Sequence, residues 1–218
     1  MLFRSGFTNY SGVWKTQRGN LYEMVEDHAN ADQVNHWMIE YLRNAGATVI
    51  PMRDVGPTTE MHIIDNGDPG FSLFGTWYES AGPVFWGEAG DRVHYVYSNT
   101  GETQTGVARW TPDFKKAGRY PVFVWYSDGQ NRCTQATYRI FHKGGMETIV
   151  LDQRRVGKGW IWMGNYYFDK GTLGYVELSN RSTDQGKVVI ADAVRFGSGV
   201  HPTRSEERRV GKECRSRW

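Results

Sequence analysis

Acids, one cysteine and many aromatic side chains lie between Asp65 and Gly197, yet their spacing assembles no catalytic set. Glycoside cleavage needs two carboxyl groups facing each other across a cleft. Glu79, Glu88, Asp91 and Asp128 are scattered, and no pattern pairs them. Cys133 stands in a polar stretch, SDGQNRCTQ, with no readable Cys/His/Asn arrangement, so it reads as a packed or idle thiol. The turn Asp65-Asn66-Gly67-Asp68 is oxygen-rich but lacks the ligand spacing of known calcium loops. Asp192 lies between apolar neighbours and reads as a loop holder, because a buried carboxylate must be hydrogen-bonded. Upstream, Glu23 and Glu26 taken alone are acidic residues near a helix start, where they favour the helix dipole. His28 falls on that helix's apolar stripe and reads as a core residue.

Two kinds of element must position these groups. Leu21, Val25, His28, Ala31, Val34, Met38 and Leu42 recur at three- and four-residue steps, which predicts one long helix over 20–44. Gly46 supplies its stop through the left-handed conformation, and Ala47 to Ile50 reads as a short buried strand ended by Pro51. Helix, turn and strand make half of a βαβ unit. From residue 71 the period changes to short runs separated by Gly, Asn and Pro. Strands are predicted over 71–73, 92–98, 105–111, 119–126, 137–142, 147–153, 160–168, 175–179 and 187–196, and their regular spacing indicates a β-sandwich. Gly144-Gly145 is predicted as a two-residue hairpin turn. Trp160, Trp162, Tyr166 and Phe168 alternate, which places four aromatics on one face, either core or binding surface.

The chain ends bias the composition. Residues 1–5 (MLFRS) and 204–218 (RSEERRVGKECRSRW) look like translated sequencing-library adapters and are expected to carry no fold or function; a genuine basic tail is the alternative. Setting them aside removes seven Lys or Arg and three Asp or Glu, and the formal net charge passes from +2 to −2. That removes the support for nucleic-acid binding. It also leaves Cys133 as the single cysteine, too few for a disulfide framework or a CxxC metal site. No apolar run is long enough for a transmembrane segment.

The run TQRGNLYEMVEDHANADQVNHWMIEYLRNAGATVIPMR resembles the early part of zinc-dependent N-acetylmuramoyl-L-alanine amidases, through Asn44 to Val49 and Arg53. The resemblance implies a Glu ligand at the start of the long helix: Glu26, with Glu23 as the alternative. A catalytic zinc needs three protein ligands and an open position for water. The family's first His would precede Gly6, and His201 does not fit its later motif, so the zinc belongs to the intact parent enzyme. The chain as given is expected to hold no zinc and to be inactive.

A second resemblance rests on Asp65-Asn66-Gly67-Asp68-Pro69-Gly70-Phe71, Gly75-Thr76-Trp77, Ala108-Arg109-Trp110-Thr111-Pro112 and the closing run from Val188 to Phe196. Together these resemble the golvesin C-terminal-like domain, which is similar to the carbohydrate-binding domain of xanthan lyase. The fold class expected is mainly β, a jelly-roll-like antiparallel sandwich preceded by a partial α/β unit. The expected boundaries are 6–57 for the amidase-like segment, 58–63 for a linker, 64–197 for the sandwich and 198–203 for a return linker. Sugar faces stack on exposed aromatic rings. Trp77, Tyr78, Trp86 and Trp160, all near turns, are the carbohydrate-binding candidates. The resemblances imply a fragment of a secreted or cell-envelope bacterial peptidoglycan hydrolase, with cell-wall glycan or extracellular polysaccharide as partner. A non-catalytic polysaccharide-binding module and a purely structural domain remain as alternatives.

Overall fold

The computed structural model describes residues 7–10, 13–16, 33–51, 60–80, 82–88 and 91–197, in two compact units, Met1–Val49 and Ile50–Trp218. In the first unit, β1 (Phe7–Tyr10) pairs antiparallel with β2 (Val13–Thr16), a hairpin the sequence pattern did not suggest. A π-helical turn, Gln33–Met38, runs into α1 (Ile39–Asn44). The rest of the predicted helix, with Glu23, Glu26 and His28, lies outside the described residues. Gly46 has φ +85°, the Gly46 N–H donates to Arg43 O and the Ala47 N–H to Leu42 O, each at 2.9 Å. These two bonds close a Schellman motif and satisfy the last carbonyls, as the Gly stop predicted.

The apolar stripe turns out differently. Val34, Met38 and Leu42 are exposed, and Ile39 is buried instead. An i→i+5 turn holds one residue more than an i→i+4 turn, so the π segment shifts the phase of a stripe counted for an α-helix. The predicted strand after Gly46 is also corrected: Val49 makes a single bridge. Pro51, without an N–H, cannot extend a ladder beyond Ile50.

The second unit is a sandwich built from β3 (His62–Ile64), β4 (Phe71–Phe74), β5 (Tyr78–Glu79), β6 (His94–Tyr97), β7 (Val107–Trp110), β8 (Gly118–Trp125), β9 (Ala136–His142), β10 (Gly145–Leu151), β11 (Ile161–Phe168), β12 (Tyr175–Ser179), β13 (Val188–Ala191) and β14 (Ala193–Phe196). One sheet has the order β10-β9-β12-β7-β4, a second β11-β8-β14-β3, and a third β13-β6-β5; every strand pair is antiparallel. All three sheets contribute to one core, including Trp110, Tyr138, Ile140, Val122, Phe168, Val189 and Phe196. Phe114 stacks on Phe168 at 4.6 Å and meets Phe196 edge-on at 5.7 Å. Burying one such ring is worth about 1.5–3 kcal/mol.

Three local departures from the predicted pattern shape the surface. First, the run predicted as one strand over 187–196 breaks at Asp192, so β13 and β14 join different sheets. Second, the β9–β10 turn consists of Lys143 and Gly144, with Gly145 (φ +122°) already paired with His142 as the first residue of β10. Third, a bulge between Trp162 and Gly164 sets Ile161, Tyr166 and Phe168 opposite Val124, Tyr120 and Gly118, and Trp162 opposite Phe123. The bulge adds one residue, so Trp162 leaves the face of Tyr166 and Phe168. Trp162, Phe123 and Trp125 are buried but lie outside the main core cluster.

Candidate functional site

Strand alternation sorts the outward side chains of the sandwich. On β6, Tyr95 and Tyr97 share one face, and Tyr78 of β5 sits directly across from Tyr95. The ring centroids are 5.4 Å apart for Tyr78 and Tyr95, 6.2 Å for Tyr78 and Tyr97, and 5.9 Å for Tyr95 and Tyr97. Tyr78 is 47% exposed and Tyr97 52%, whereas Tyr95 packs against the core. This is an aromatic platform with two accessible rings braced by a third. Asn180 holds its edge: Nδ2 donates to Tyr97 O at 3.1 Å and to Thr105 Oγ1 at 2.9 Å, while Oδ1 accepts from the Thr105 and Gly106 N–H groups. All of the Asn180 amide is satisfied although the residue is buried.

The other aromatic candidates fall elsewhere. Trp77 is half-buried against the core, and its Nε1 donates to Phe74 O at 3.0 Å. Trp86 and Trp160 meet edge to face with centroids 5.5 Å apart, and both are half-buried. The Arg195 guanidinium lies 5.1 Å from the Trp160 ring and 3.9 Å from that of Phe123. Of the four sequence candidates, Tyr78 alone therefore joins the tyrosine platform. Tyr95 and Tyr97 were missed, although the alternation in His94-Tyr95-Val96-Tyr97 marks them as sharing a face.

Beneath the Trp86 loop, carboxyl groups far apart in sequence converge. The Asp192 carboxylate accepts the Trp86 N–H at 3.2 and 3.4 Å and shares a hydrogen bond with Asp65. Burial pushes Asp192 up to about 8, the Trp86 N–H opposes that rise, and nearby Asp65 and Asp91 add to it. Burial likewise raises Asp65, against the pull of the Asn66 N–H. Gly87, at φ +112°, lets the chain pass: a Cβ there would stand 2.2 Å from Asp91 Oδ2 and 2.6 Å from Asp65 Oδ2. With Asp192 only 1% exposed, the pair pins a loop, as the sequence implied for Asp192. Among the described residues no three His, Cys, Asp or Glu side chains are arranged to hold a metal ion. Glu26 and Glu23, the zinc ligands that the sequence resemblance implies, lie outside those residues. Cys133 is buried, its Sγ 3.1 Å from Ser182 Oγ, and burial pushes the thiol up, away from the reactive thiolate.

Residues 62–198 match the family of the Golvesin C-terminal domain. The chain belongs to that family. Golvesin from Dictyostelium discoideum is 30% identical over 103 residues, which cover 47% of this chain and 18% of golvesin. Xanthan lyase from Bacillus sp. (strain GL1) is 29% identical over 138 residues, 62% of this chain and 14% of the lyase. A solved xanthan lyase from Paenibacillus superposes with a TM-score of 0.56 and 25% identity, over 66% of this chain and 13% of that one. The chain thus spans under a fifth of the length of the curated relatives it matches. What the golvesin domain shares with them is a mainly antiparallel β-sandwich. Among the described residues no helix is long and apolar enough to cross a membrane.

Proposed function

We propose that this golvesin domain is a non-catalytic carbohydrate-binding module that docks a polysaccharide on Tyr78 and Tyr97. The observation that carries the reading is the platform itself: two exposed rings, Tyr78 paired across strands with Tyr95 and Tyr97 packed edge-on to Tyr95 from the same strand. Tyrosine offers a flat apolar face for sugar C–H groups and a hydroxyl for sugar oxygens, at little entropic cost. The relative named xanthan lyase acts on a polysaccharide, which agrees with this reading. The partner proposed is a cell-wall glycan or extracellular polysaccharide, and the location secreted or cell envelope.

Affinity electrophoresis of the full chain against a panel of polysaccharides tests it. Tyr78→Ala and Tyr97→Ala are each expected to weaken retardation about tenfold, since a lost aromatic contact is worth about 1.4 kcal/mol. Unchanged retardation in both variants would remove the platform as the site.

For the parent protein we propose a peptidoglycan hydrolase of the N-acetylmuramoyl-L-alanine amidase type, with Glu26, or Glu23 in its place, among the zinc ligands. The Schellman stop at Gly46, on the Asn44 to Val49 stretch that resembles that family, favours it. Sequencing the source gene on both sides of residues 6–203 tests it. A Gly-His motif upstream with a His and a Glu downstream is expected, and a stop codon soon after residue 203 would overturn it.

A further inference from the structure

We propose that the outer face of the five-stranded sheet binds the acidic sugars of a polysaccharide, with Arg181 and Arg139 taking their carboxylates. This rests on the glycan-binding reading above and names a ligand class for it. An open groove of 990 Å³ crosses β9, β10 and β12 there. Most of the residues along it carry a hydroxyl or an amide, among them Thr137, Thr148, Ser179 and Gln135, with Val150 as the aliphatic one and no aromatic ring. Such a lining lacks the aromatic anchors of a protein interface and matches sugar hydroxyls.

Charge selects the kind of sugar. Register sets Arg109, Glu177 and Arg139 side by side across β7, β12 and β9. Glu177, buried, meets the Arg109 guanidinium at 2.5 Å and that of Arg139 at 3.0 Å. One carboxylate between two guanidiniums leaves a positive excess. Arg139 also donates to Gln104 Oε1 at 2.5 Å, but its Nε is buried with no hydrogen-bond partner. Arg181 stands exposed in the lining, and Glu102 is the one acid among the lining side chains. A guanidinium presents a planar fork of donors that fits a carboxylate with two parallel bonds. Sugar carboxylates on Arg181 and Arg139, with ring hydroxyls on the threonines and on Gln135, match the polar groups along the groove.

Isothermal titration of the full chain with polygalacturonate, and with dextran as the neutral control, tests the site. Polygalacturonate is expected to bind more tightly than dextran, with affinity that falls as salt rises. Arg181→Ala is expected to weaken polygalacturonate about tenfold, and Thr148→Glu, which adds a negative charge to an exposed groove position, at least as much; neither changes dextran binding. Equal binding of polygalacturonate by wild type and both variants overturns the groove. If Tyr78→Ala still lowers binding in that case, the platform stands alone. A chain that binds no polysaccharide in the affinity panel overturns both.

Discussion

Replacing Asp192 by Asn should make the sandwich more stable at alkaline pH than the native sequence, although it removes a buried acid. The folded state holds Asp192 near 8 instead of its ordinary 3.8, so it favours the protonated form. A raised pKa contributes stability that is complete below the unfolded value and is lost as pH rises through the folded one. Wild-type stability should therefore decline between about pH 4 and pH 8 and level off above. Raising the carboxyl from 3.8 to about 8, at 1.36 kcal/mol for each tenfold change in proton affinity, amounts to about 6 kcal/mol. Asp65 takes part in the same hydrogen bond, so the two acids release their proton as a pair, and about 3 kcal/mol is the expected net effect. In Asp192→Asn the amide can still donate to Asp65 and accept the Trp86 N–H, and Asp65 is then the one ionisable member of the pair. Other groups act in different windows or with the opposite sign. His94, held below 6.5 by burial, loses stability as pH falls. Glu60, Asp152 and Asp184, held low first by side-chain hydrogen bonds from Tyr120, Arg154 and Thr134, act at still lower pH. The wild-type minus variant difference cancels them all. Thermal unfolding from pH 5 to pH 9 should show the variant about 10 °C ahead at pH 9 and the gap closing towards pH 5. Parallel curves for the two proteins would refute the shared-proton argument.

Two further substitutions probe the frame of the proposed sites. Gly75→Ala would place a Cβ 1.9 Å from Thr105 O at φ +82°, where the obstacle is backbone, so a loss of about 2–4 kcal/mol is expected in denaturant unfolding. Glu177→Ala leaves the Arg109 and Arg139 guanidiniums without their shared carboxylate; because both are partly exposed, a loss of about 2 kcal/mol is expected. Screening by 1 M salt should shrink that loss, and a salt-independent loss would mean that packing, and not charge, sets its size.

Much of the fold was legible because its determinants are local. Alternation and turn residues located the core strands of the sandwich to within a few residues, from 105–111 against Val107–Trp110 to 175–179, which matches Tyr175–Ser179. The Gly46 stop was legible for the same reason, since φ > 0 is a property of one residue. The helix phase was not, because the extra residue of the π turn leaves no mark in apolar spacing. Tyr78 was legible as an exposed aromatic near a turn, but its partners depend on which strand lies beside β5.

What the sequence determined by itself was a β-sandwich of the golvesin type between Asp65 and Gly197. Strand pattern, turn chemistry and ordered motifs carry that much without any long-range contact. Tertiary structure decided the rest: that Tyr78, Tyr95 and Tyr97 form one surface, that Trp162 parts from Tyr166 and Phe168, that Asp65 meets Asp192, and that Arg109, Glu177 and Arg139 form a row. Each depends on register between strands distant in sequence, or on a single added residue at a bulge. One step of register moves every side chain of a strand to the opposite face, so periodicity names the residues of a face but not their neighbours.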